Sequence, residues 1–364
     1  MRDMSPDTET GRSDKATGRG KFLYRAMYIS ISLACWSTVF IETAQAQIQL
    51  VNHSAKACLD ANGMTFGQQV WIEGGQFVMG DDSTYAEEAP AHGVSVSGFW
   101  IDVHEVTNAQ FARFVKETGY VTVAETKPST YTIAAAEIPD AMGQPGSIVF
   151  SPPADGQSLR YWWNWVPGAY WRHPEGLGST IEGRDNYPVV HIAYEDAAAY
   201  AQWAGRSLPT EAQFELVARN RRDSRFAWEG NLLAPGGHHH ANTWQGDFPL
   251  QDTAEDGHRG LAPVGCYDAN DYGVFDMIGN VWEWTGNWYF PGHRLVEPPD
   301  PQGPELHESY SPDHPGAPVK VIKGGSYLCA ESYCLRFRPA ARQAQETGLG
   351  TSHIGFRTVL NRAR

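Results

Sequence analysis

Glycine and proline punctuate this chain so densely that long regular elements are excluded. The 364 residues include 37 glycines and 23 prolines, above the roughly 7% and 5% of average usage, and most of these positions interrupt a helix or a strand. The 13 tryptophans, within an aromatic content of 12%, supply large rings that pin loops where backbone hydrogen bonding is short. The composition predicts one large domain of short elements joined by irregular segments, and the helices and strands read along the chain make it α+β.

A formal charge of -14 and a pI near 5.3 exclude nucleic acid and an anionic membrane surface as main partners, because both repel an acidic surface. Peptides, small molecules and cations remain. Near the start, Lys15, Arg19, Lys21 and Arg25 precede a charge-free stretch from Met27 to Ile41, followed by Ala44-Gln45-Ala46. That is the order of basic region, apolar region and cleavage site in an export signal. Residues 1–46 are expected to be removed, leaving no stable membrane insertion and a periplasmic or secreted, monomeric chain.

A lead-in over residues 47–68 precedes a domain over 69–364. Val70 to Gly80 places two apolar runs around Gly74-Gly75, which reads as a hairpin, and Val94 to Val103 reads as a strand. Thr107 to Thr118 forms an amphipathic helix capped by Thr107 or Asn108. A second helix runs from Tyr194 or Glu195 to Ala204 and stops at Gly205. The third begins after Thr210, which forms a capping box with Gln213. Beyond Asn220 a long run of turns leads to strands at Val319 to Ile322 and Gly355 to Leu360.

Once Cys35 leaves with the signal, four of the five cysteines remain. Cys58 and Cys266 carry no motif and are either free or paired structurally. Cys329 and Cys334 stand five positions apart, after Gly324-Gly325 and ahead of Arg336, Arg338 and Arg342. Such a pair is a disulfide, a redox couple or a two-sulfur site for a soft metal. His238-His239-His240 reads as an exposed loop, since three adjacent histidines do not easily converge on one ion. The rings of Tyr161-Trp162-Trp163-Asn164-Trp165 serve either the core or a binding platform.

Seven segments occur in an order that resembles the formylglycine-generating enzymes, or sulfatase-modifying factors. They are Gly74-Gly75-Gln76-Phe77-Val78-Met79-Gly80, Glu105-Val106-Thr107-Asn108, Trp171-Arg172-His173-Pro174-Glu175-Gly176, Leu208-Pro209-Thr210-Glu211-Ala212, Gly279-Asn280-Val281-Trp282-Glu283-Trp284, Gly324-Gly325-Ser326-Tyr327 and Gly355-Phe356-Arg357. Most mark a wider superfamily, whereas the cysteine pair within Gly-Gly-Ser-Tyr-x-Cys-x-x-Ser-Tyr-Cys resembles the formylglycine-generating enzymes themselves. The resemblance implies an irregular, loop-rich fold related to C-type lectins. It also implies an oxidase of the bacterial, exported type that uses O2 and Cu(I) to convert the cysteine of a Cys-x-Pro-x-Arg segment, in an unfolded sulfatase or related hydrolase, to formylglycine.

Carried over by position, the resemblance makes Cys329 and Cys334 the copper ligands and Ser326 a hydroxyl beside them, with Trp282 and Tyr333 lining the cleft and Arg336 following the second cysteine. It further implies two structural Ca2+ sites. Asn242, the Thr243 carbonyl, Asp256 and the His258 carbonyl match one; Asp276, the carbonyls of Met277, Gly279 and Val281, and Glu283 match the other. Oxygen donors held in loops are what this hard cation takes. Departures from the family pattern are Ala330 and Glu331 after the first cysteine, and Gln345 and His353 before Gly355. Competing readings are a periplasmic relative that oxidises another substrate, such as a siderophore precursor, and a non-catalytic, calcium-stabilised lectin-like binding module.

Overall fold

The computed structural model describes residue 58 and residues 67–128, 143–153, 162–230, 234–296 and 298–361. The expected export signal at residues 1–46, most of the expected lead-in at 47–68 and Tyr161 lie outside the described residues. Strand β1 (Gln69–Ile72) pairs antiparallel with β4 (Phe99–Asp102), and β11 (Val359–Leu360) pairs with the other edge of β4. A separate two-stranded sheet joins β2 (Gly75–Met79) to β3 (His92–Val96).

The two apolar runs around Gly74-Gly75 are therefore not a hairpin; they belong to different sheets. Gly74 has φ +73, and a Cβ there would stand 2.3 Å from the Val96 carbonyl oxygen, so the glycines pass the chain from one sheet to the next at backbone contact distance. The strand expected from Val94 to Val103 is divided for a similar reason. At Gly98 a Cβ would meet the Trp71 ring at 2.3 Å, and the chain changes sheet there.

All three expected helices form. Helix α1 (Asn108–Thr118) is capped by Thr107, which shares a capping box with Gln110, and ends at Gly119 in the left-handed region. Helix α2 (Tyr194–Trp203) follows Ala193, and α3 (Glu211–Ala218) follows the Thr210–Gln213 box. A four-stranded sheet has the order β10 (Ile354–Gly355), β7 (Trp282–Trp288), β8 (Val319–Lys323) and β9 (Arg342–Glu346), with β10 parallel to β7 and the other pairs antiparallel. Strand β5 (Gly146–Phe150) pairs with β6 (Trp163–Pro167). Among the described residues, no helix is long and apolar enough to cross a membrane.

The core is pinned by rings, with Phe111 in contact with Phe114, Trp171, Tyr200 and Phe356. Charge is buried with it, in pairs. Lys323 meets Glu215 at 2.8 Å, Arg219 meets the same carboxylate at 2.8 Å, and Arg342 meets Glu211 at 2.7 Å. Arg338 is spent in the same way on Glu88 and Asp81. Cys58 and Cys266 form a disulfide spanning 208 positions.

Candidate active site

The cysteine pair sits on a tight turn just after β8. Gly324 and Gly325 both have positive φ, and a Cβ on Gly325 would come within 2.8 Å of the Arg336 carbonyl, so only glycine lets the entering and leaving chains approach so closely. The Ser326 carbonyl accepts from the Cys329 N–H at 2.9 Å and its hydroxyl accepts from the Leu328 N–H at 3.2 Å. The Ala330 carbonyl then accepts from both Tyr333 and Cys334 N–H. That single helical turn brings Cys334 back over Cys329.

The two sulfurs are free thiols 3.2 Å apart, in hydrogen-bond contact rather than joined. Cys329 is buried against the core and Cys334 is half-buried. Burial pushes the Cys329 thiol well above its ordinary range. The Cys334 thiol is lowered to about 6, first by the hydrogen bond from Cys329 and then by the Arg336 guanidinium, against the opposing effect of its own burial. Arg336 is held in place by Glu87 at 2.6 Å and lies 4.2 Å from the Tyr85 ring centroid, while the Tyr85 hydroxyl accepts from the Leu335 N–H. The loop at 85–88 thus orients the cation over the sulfur; nothing in the sequence links it to a turn some 249 positions away.

A wall of aromatic rings flanks the pair. Tyr333 is 54% exposed; it stacks on Phe248 with centroids 4.4 Å apart and meets Trp162 edge-on at 5.8 Å. Phe150 and Trp244 continue this cluster beneath Phe248. Trp163 packs against His353 at 4.7 Å. Trp282 is placed differently, 2% exposed within the core cluster that includes Cys329, so it supports the site from below rather than facing an incoming ligand. Ser326 is likewise fully buried, with its hydroxyl turned to the Leu328 backbone. The Gln345 amide is directed to the Leu349 carbonyl.

Parts of both implied calcium sets meet: Thr243 and His258 at Asp256 in the first, and Asp276 near Glu283 in the second. In the first, Asp256 accepts from the His258 and Thr243 N–H groups at 3.0 and 3.2 Å, and the Gln245 side-chain nitrogen sits between the Thr243 carbonyl and the Asp256 carboxylate. A donor there stands in the place of a cation, so the oxygen set fits one. In the second, Glu283 binds Arg357 through both oxygens at 2.7 Å, and Asp276 accepts from the Gly265 N–H at 2.6 Å. Glu105 joins this cluster and leaves its Oε2 without a hydrogen-bond partner. Three buried carboxylates face one guanidinium there, and burial raises all three. Three carboxylates against one guanidinium leave an excess of negative charge that fits a divalent cation. Glu105 was readable only as part of its four-residue motif.

Residues 56–362 match the family described as the sulfatase-modifying factor enzyme 1-like domain. The chain belongs to this family. It is 48% identical to the formylglycine-generating enzyme of Mycobacterium tuberculosis over 79% of this chain and 96% of that protein. It is also similar to a relative named inactive C-alpha-formylglycine-generating enzyme 2 from Mus musculus, at 34% identity over 81% of this chain and 86% of that one. Among solved structures, PvdO from Pseudomonas aeruginosa superposes with a TM-score of 0.52 at 23% identity, covering 80% of this chain and 93% of that chain. The loop-rich α+β fold is therefore the formylglycine-generating-enzyme fold, related to C-type lectins.

Proposed function

We propose that this sulfatase-modifying-factor domain is exported and oxidises the cysteine of a Cys-x-Pro-x-Arg segment, in an unfolded sulfatase or related hydrolase, to formylglycine with O2. The observation that carries the reading is the reduced pair: two sulfurs 3.2 Å apart, one anchored in the core and one reaching solvent beside exposed aromatic rings. Sulfur donors suit Cu(I), which when bound by Cys329 and Cys334 supplies the reactivity toward oxygen.

The chain's own residues do the rest. Cys334 carries the readily lost proton, and Arg336 stabilises the resulting thiolate, so one ligand is ready at neutral pH without an external base. Tyr333, Phe248 and Trp162 offer ring faces to the proline and the stems of neighbouring side chains in an extended peptide. Calcium at the two oxygen sets fixes the loops at 242–258 and 276–283.

Mass spectrometry of a Cys-x-Pro-x-Arg peptide incubated with the mature protein, Cu(I), a reductant and O2 tests this reading. A thiol-to-aldehyde mass change is expected with the intact pair and not with the Cys329→Ala/Cys334→Ala variant. Turnover that survives in Cys334→Ala would overturn the two-sulfur mechanism.

A further inference from the structure

The three-histidine segment does converge, though not through all three residues. At His238 the backbone is extended, with φ -95 and ψ 118. Side chains two apart on an extended segment share a face while the one between points away, so His238 and His240 come together and His239 contributes no atom. Their partner is Asp268: His238 Nε2 lies 2.7 Å and His240 Nδ1 3.9 Å from its Oδ2, and one ligand atom from each residue falls within 4.8 Å of the other two.

We propose that His238, His240 and Asp268 form a site for a divalent first-row transition ion, separate from the cysteine pair and the calcium sets. Two imidazole nitrogens and one carboxylate oxygen around a tetrahedral Zn2+ stand roughly 3.3 Å apart, given bond lengths of about 2.0–2.2 Å. The observed 2.7 and 3.9 Å bracket that spacing. Imidazole donors select such an ion over calcium or magnesium. The His240 ring is already held, stacked on Trp228 at 5.3 Å and 18° and meeting His238 edge-on at 4.9 Å. No Lys or Arg among the described residues pairs with Asp268; the nearby Arg222 is engaged by Asp271. His240 and Asp268 also line a cavity of about 420 Å³, which leaves room for water to complete the coordination. The bound ion clips the turn at 235–240 to the segment that follows Cys266.

Thiols also bind Zn2+, so calorimetric Zn2+ titration of the calcium-loaded mature protein is compared in two backgrounds, with the cysteine pair intact and with Cys329→Ser/Cys334→Ser. One Zn2+ site is expected to persist in the second background. Adding His238→Ala/His240→Ala should weaken that site beyond the roughly 10–100-fold cost of losing a mere supporting contact; Asp268→Asn should weaken it too, and His239→Ala should leave it unchanged. Unchanged metal-free melting temperatures show that the variants fold. Absence of Zn2+ binding in the thiol-free background, or binding indifferent to His238→Ala/His240→Ala, would overturn the proposal.

Discussion

The side-chain nitrogen of Asn280 donates to Glu105 Oε1 at 3.0 Å, while its side-chain oxygen accepts from Asn242 at 3.0 Å and from the Ala262 N–H at 3.0 Å. One amide thus ties Asn242 of the first implied oxygen set to Glu105, which lies beside the second. Since Glu105, Asp276 and Glu283 outnumber Arg357, calcium is expected to raise the melting temperature by several degrees, about 3 °C for each kcal/mol gained in a domain of this size. Glu105→Gln removes one surplus charge. Its chelator-treated form should be at least as stable as the wild type and should gain less from calcium. Equal calcium gains in both proteins, measured by thermal unfolding with and without chelator, would count against a cation at this cluster.

Cys334 should behave as an unusually acidic thiol in the reduced, metal-free protein. Its folded value of about 6 lies below the ordinary thiol value of 9.0, so the reactive thiolate is present above about pH 6. Alkylation rates followed against pH should show a midpoint near there. Cys329→Ala, which removes the leading hydrogen bond, and Arg336→Met, which removes the nearby cation, should both move the midpoint upward. A midpoint unchanged in both variants would mean that neither group sets the acidity.

Acid should unfold the domain partly through Glu215. Burial raises this carboxyl, but Lys323 and Arg219 pull harder and hold it at about 2, against an ordinary 4.5. A depressed carboxyl contributes stability that is complete above 4.5 and lost as pH falls from there through 2; the difference is worth about 3 kcal/mol. Glu215→Gln should flatten the acid limb of a stability–pH curve between those values. It should also cost about 3 kcal/mol at neutral pH, because the buried Lys323 and Arg219 lose the carboxylate they share, although Lys323 keeps Glu211 at 3.7 Å. Denaturant titrations from pH 2 to 7 measure both effects.

The helices were legible because their signals are local: the caps at Thr107 and Thr210 and the stop at Gly119 or Gly205 fall within one turn of the elements they bound. The cysteine pair was legible through its spacing and its Gly-Gly approach. Strand β7 was not, since residues 282–285 are all buried and give no alternation of polar and apolar side chains to read. The false hairpin at Gly74-Gly75 has a related cause. The glycine signal was real, but it marks close approach to Val96 of β3, the strand that pairs with β2, a partner no local pattern names. Glu87 and Phe248 reach the site through contacts distant in sequence, and the convergence of His238 with His240 depends on a backbone conformation rather than on composition.

Truncating the aromatic wall should separate binding from chemistry. Tyr333 is half-exposed yet firmly seated, stacked on Phe248 at 14° between ring planes and edge-on to Trp162 at 88°. A ring held in that way offers a peptide a preformed apolar face at little cost in side-chain entropy. It makes no contact that must change as a thiol becomes an aldehyde, so truncation should weaken ground state and transition state alike. Tyr333→Ala should therefore raise KM for a Cys-x-Pro-x-Arg peptide roughly 10-fold, which corresponds to about 1.4 kcal/mol, and leave kcat nearly unchanged. Tyr333→Phe should restore most of the loss, because the face of the ring and not its hydroxyl is what the peptide meets. A fall in kcat with KM unaltered would instead place the phenol among the groups that act on the reacting atoms.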